Sequence, residues 1–97
     1  DWLVTKVQEV HVTAGSATAP NVLTVTVMKC TGTQAPAAGV PMHNTAIALN
    51  GLACTVVAPV LSSADLTLAA GDRIALDYSG DATAFSGGSI TIKMKRV

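Results

Sequence analysis

The stretch from Leu66 to Tyr78 constrains this chain more than any other. It reads Leu66-Thr67-Leu68-Ala69-Ala70-Gly71-Asp72-Arg73-Ile74-Ala75-Leu76-Asp77-Tyr78. Leu66 and Leu68 alternate with Thr67, which predicts a short strand with one apolar face. Gly71 can take the positive φ that closes a tight turn. Asp72 can fold its carboxylate back onto nearby backbone N–H groups. Ile74, Leu76 and Tyr78 then share one face of a second strand, with Arg73, Ala75 and Asp77 on the other. The expectation is a hairpin with Gly71 and Asp72 as its structural turn.

The rest of the chain carries the same signature. Val, Ile and Thr are abundant, turn residues recur at short intervals, and no stretch has the period of a useful helix. Trp2 to Val12 predicts a first strand, but its apolar residues fall on mixed parity. Lys6 and Gln8 interrupt the Trp2–Val4–Val10–Val12 face, which points to two covered faces or a bulge near Lys6. Residues 14–20 read as a loop. Val22 to Cys30 predicts a strand whose Leu23, Val25 and Val27 share a face, while Met28 and Cys30 turn the other face toward apolar cover. A long loop follows to Pro41, broken by Gly32, Pro36 and Gly39.

Thr45 to Leu49 predicts a short strand, and Asn50-Gly51 a turn. Thr55 to Leu61 predicts a further strand, with Pro59 restricting it to an edge or a bulge. Ser89 to Val97 has the cleanest alternation. Ile90, Ile92 and Met94 face inward, and Thr91, Lys93 and Lys95 face water. Together these features predict an all-β fold of antiparallel strands, a β-sandwich or a barrel. Its 97 residues fit a single domain spanning 1–97.

Hydrophobic residues make up 49% of the chain, but alanine supplies many of them and aromatics are only 3%. A core of Ala and Val buries little area per residue, so part of the stability is expected from a partner, most simply copies of the same chain. Six basic and six acidic residues cancel, with no basic stripe, so no nucleic-acid partner is expected. No apolar run approaches the roughly twenty residues of a membrane helix, so no membrane partner is expected. Low charge suits a protein packed in an assembly.

Catalytic and ligand-binding chemistry has little to work with. His11 and His43 are the only histidines, and a zinc site would need further ligands converging on them. No Gly-x-Ser-x-Gly elbow marks a serine nucleophile. Asp77 and Asp81 flank one turn, a conceivable weak calcium site, though solvated turn carboxylates are the plainer expectation. Cys30 and Cys54 are expected to be small buried free thiols. No catalytic residues, no metal and no cofactor are therefore expected, and the chain is not expected to be an enzyme. Trp2, with Leu3 beside it, is the candidate interface, because a large apolar side chain near a chain end is hard for a monomer to bury.

The run from Asp65 to Asp77, followed by Gly80 and a final Ile-Thr-Ile-Lys strand, resembles the small structural proteins that tailed bacteriophages encode near their major capsid protein. The opening Leu3-Val4-Thr5-Lys6-Val7-Gln8-Glu9-Val10-His11-Val12-Thr13-Ala14-Gly15 and the middle Lys29-Cys30-Thr31-Gly32-Thr33 carry the same resemblance. The Leu-x-x-Gly-Asp-x-Ile-x-Leu turn is similar to that of trimeric jelly rolls of the C1q and tumour-necrosis-factor type, which implies an all-β, antiparallel β-sandwich of jelly-roll type. The resemblance implies a virion protein made in the bacterial cytoplasm and carried on the capsid surface. Its implied role is capsid decoration or cement, as a homotrimer bound to the major capsid protein. The alternative it leaves is a fibre or tail-tip module that binds host glycan.

Overall fold

A single bulge in the first strand decides which residues enter the core. In the computed structural model, which describes residues 1–15, 22–63 and 66–97, β1 spans Trp2–Val10. It pairs antiparallel with the last strand, and the register slips between Val4 and Lys6. Before the slip, Trp2 and Val4 share the inner face. After it, inward positions fall on Val7, Glu9 and His11, and Val4, Val7, Glu9 and His11 are all buried. The expected bulge near Lys6 is present. Val10 and Val12, expected to continue the face begun by Trp2 and Val4, are turned the other way, and Val12 is exposed.

The remaining strands are β2 Thr24–Cys30, β3 Val40–Pro41, β4 Ile47–Ala48, β5 Thr67–Leu68, β6 Arg73–Ser79 and β7 Ser89–Arg96. They form two antiparallel sheets, as an all-β sandwich requires. One sheet has the order β5-β1-β7. In the other, β6 runs the full length of one edge of β2, from Thr24↔Ser79 to Cys30↔Arg73. The opposite edge of β2 is shared by β4 at one end and β3 at the other. Val4, Val7, Leu23, Val25, Val27, Met42, Ile47 and Leu49 pack as the core between the sheets.

The Leu66–Tyr78 stretch is not a hairpin. β5 pairs with β1 and β6 pairs with β2, so the turn between them carries the chain from one sheet to the other. Its chemistry is as expected. Gly71 has φ +91°, the Ala69 N–H donates to the Asp72 carboxylate at 2.9 Å, and the Asp72 N–H donates to the Ala69 carbonyl at 3.1 Å. Turn residues fix a local reversal, while strand partners are chosen by non-local contacts.

Two other expected strands are curtailed. Thr45–Leu49 reduces to the two residues of β4. The 55–61 stretch is a strap across the edges of both sheets. Val57 exchanges backbone hydrogen bonds with Glu9 of β1, and the Asn44 N–H donates to the Val60 carbonyl. Pro59 has no N–H for a continuous ladder, so the strap pairs with each sheet only over a short contact and passes on. The Asn50-Gly51 turn joins no paired strands. The 31–41 loop contains a 3-10 turn, Pro36–Ala38, and folds over the outer face of β2, covering Met28 and Cys30. The loop expected at 14–20 lies largely outside the described residues, as does Asp65.

Candidate functional site

The bulge draws two ionisable side chains into the interior. Glu9 and His11 alternate on one face and are 1% and 0% exposed. His11 Nδ1 lies 3.0 and 3.1 Å from the two Glu9 carboxylate oxygens, and Nε2 lies 3.1 Å from the Gly51 carbonyl oxygen. Both ring nitrogens therefore face groups that only accept, and the ring that satisfies both is the imidazolium. Burial by itself disfavours that charge. The Glu9 hydrogen bond, the Gly51 carbonyl and the Glu9 charge outweigh it, and the His11 pKa is raised. Phe85 packs against the ring with centroids 5.7 Å apart.

His43 holds the opposite state. β3 and β4 leave a gap along the edge of β2, and Val27 sits at that gap. The Met42 N–H donates to the Val27 carbonyl, and the Val27 N–H donates to His43 Nε2 at 3.0 Å. His43 Nδ1 then donates to the Thr45 carbonyl at 2.7 Å. A ring that accepts at one nitrogen and donates at the other is neutral. The imidazole thus stands in for the missing piece of strand. Neither histidine joins a metal cluster: among the described residues no group of three or more His, Cys, Asp or Glu could hold an ion.

The surface is apolar in places where water reaches it. Trp2 is half exposed and lines an open groove of about 410 Å³ with Asp1, Leu68, Ala69, Asp72 and Met94. The expected interface residue Trp2 and the turn residue Asp72 therefore meet in one groove, at the edge of the sheet-to-sheet turn that Gly71 closes. Leu3 does not join them. Strand alternation sends it to the opposite face of β1, where it is half-buried. Leu52 just before the strap, and Val56 and Val60 on it, are 80%, 56% and 72% exposed, while Val57 and Leu61 pack inward. A smaller cavity of about 80 Å³ lies beside Glu9, between Tyr78, Phe85 and Ile90. It is well below the roughly 300 Å³ at which small-molecule pockets begin.

Other expected sites resolve simply. Asp81 accepts from the Thr83 hydroxyl at 2.6 Å and from the Thr83 N–H at 2.9 Å, and these bonds hold its pKa down. Asp77 takes no part in that turn. Cys30 and Cys54 are both free, but only Cys30 is buried. Cys54 is exposed on the strap's approach, with φ +56°. The burial of Glu9 and His11 was hidden in the sequence because it depends on where the bulge falls. The one available signal was the parity break at Lys6.

Among the described residues no helix is long and apolar enough to cross a membrane. No family model, no curated protein and no solved structure matches this chain.

Proposed function

We propose that this chain is a bacteriophage virion protein, a capsid decoration or cement protein of jelly-roll lineage that acts by contact. Its partners are the major capsid protein and further copies of itself, as a homotrimer on the capsid surface. The observation that carries the reading is the exposure of three large apolar side chains, Leu52 just before the strap and Val56 and Val60 on it. A β-sandwich with a small core of Val, Leu, Ile and Met side chains gains nothing from apolar side chains in water, whereas a protein seated on a shell buries them at about 25 cal/mol per Å². The Trp2 groove offers a second apolar contact. Several weak contacts made by linked copies multiply, because each later one is intramolecular.

The test is a shell prepared with and without the protein. Shells lacking it should assemble and rupture sooner on heating or osmotic shock. Trp2→Ala and the pair Leu52→Ser/Val60→Ser should lower shell occupancy while the isolated domain still melts cooperatively. One observation favours a second reading. Trp2 stands exposed between Asp1 and Asp72, an aromatic platform with polar neighbours of the kind that binds sugars. Particles that are equally robust without the protein, yet no longer adsorb to cells, would establish that reading in place of the first.

A further inference from the structure

The sandwich is closed on one side and open on the other. The strap joins the β1 edge of one sheet to residues 42–44 at the β3/β4 edge of the other. On the far side, among the described residues, β6 pairs only with β2 and β7 only with β1, so two long strands each leave one edge without a described partner. The inner face is unfinished there. Tyr78 and Leu76 lie directly opposite Val25 and Val27, and Met94 opposite Val4. Those three valines are 0–1% exposed, whereas Tyr78, Leu76 and Met94 are 50%, 37% and 43% exposed. Side chains on the core's own face are exposed there because none of the described residues lies beyond the edge.

We propose that this flank is where copies of this chain join, with β6 of one copy against β7 of the next. Charge selects unlike edges. The outer face of β7 carries Lys93 and Lys95, and the strand holds no acidic residue. Within the molecule Lys93 already sits opposite Lys6, a like-charge pair. Pairing β7 with β7 would add more lysines to that row, the arrangement by which edge strands refuse their own kind. β6 instead presents Asp77 on its outer face, while the guanidinium of Arg73, at the strand's start on the same face, is held by the Gly32 and Gln34 carbonyls.

An antiparallel register that sets Asp77 opposite Lys93 also sets Leu76 opposite Met94 and Tyr78 opposite Ile92. The carboxylate relieves the lysine row, and the half-exposed inner residues cover one another. The junction rests on the proposal that copies associate, and not on where they are displayed.

The test is sedimentation equilibrium of the purified chain, with charges exchanged across the junction. The wild type should associate reversibly. Asp77→Lys alone, and Lys93→Glu/Lys95→Glu together, should each weaken association by roughly tenfold per junction. The chain carrying all three substitutions should recover it, because opposite charges face each other again. Thermal melts at dilution show that each variant is folded. A wild type that is monomeric at every soluble concentration overturns the junction, as does a folded triple variant that fails to recover. Association that strengthens in Lys93→Glu/Lys95→Glu identifies β7–β7 pairing and also overturns it. A monomer that still binds and toughens shells would reject the junction and leave the decoration role standing.

Discussion

One added methyl group at Gly80 should cost this domain a large share of its stability. Gly80 follows β6 with φ +101°, and a Cβ there would overlap the Val22 carbonyl oxygen and lie 2.7 Å from Val22 C and 2.9 Å from Leu23 Cα. All three are backbone atoms and cannot rotate aside. A left-handed conformation costs an L-residue about 1–2 kcal/mol. Overpacking adds about 1–3 kcal/mol. Gly80→Ala should therefore destabilise by about 2–5 kcal/mol, against roughly 5–15 kcal/mol for a domain of this size.

Gly71 separates the two terms. Its φ is +91°, but nothing lies within 4 Å of its Cβ position, so Gly71→Ala should cost the strain alone, about 1–2 kcal/mol. Gly51 is the control. It faces open space without a positive φ in the strained range, and Gly51→Ala should be neutral or stabilise by up to about 1 kcal/mol. Urea unfolding of the four proteins, compared at a common m-value, measures all three differences. A Gly80→Ala variant no worse than Gly71→Ala would refute the close approach to residues 22 and 23. A neutral Gly71→Ala would refute the strained turn.

The Glu9–His11 pair gives a pH dependence. The folded pKa of His11 is raised, so its contribution is fully present below the unfolded value near 6.5 and is lost as pH rises through the folded pKa. The melting temperature should fall over that window in the wild type, and Glu9→Gln should flatten the fall while costing about 1–3 kcal/mol at pH 6. An unchanged slope in Glu9→Gln would show that the pair does not set it. His43→Ala leaves the buried Val27 N–H without its acceptor and should cost about 1–3 kcal/mol in urea unfolding, whereas a cost below about 0.5 kcal/mol would mean another group satisfies that N–H. In the folded protein a thiol reagent should modify Cys54 quickly and Cys30 only as fast as the chain unfolds. Equal rates at both would contradict their different burial.

Local pattern was enough for the strand class of this protein. Period-2 alternation in Ser89–Val97 and Leu23–Val27 is a property of neighbouring residues, and it survives in β7 and β2 with the expected faces inward. The Gly71–Asp72 turn was equally legible, because positive φ and a carboxylate reaching three residues back need nothing from the rest of the molecule. What those strands pair with was not legible. β5 and β6 flank a tight turn and still join different sheets, since pairing depends on which distant edge offers hydrogen bonds and cover.

The polar interior depended on tertiary structure most of all. A bulge shifts every later residue of β1 by one position, so the choice between burying Val10 and Val12 or Glu9 and His11 turns on one slip near Lys6. The sequence marked where a slip could occur. Only the opposing strand β7, the Gly51 carbonyl and the strap decided that it does occur, because together they satisfy the polar groups it buries.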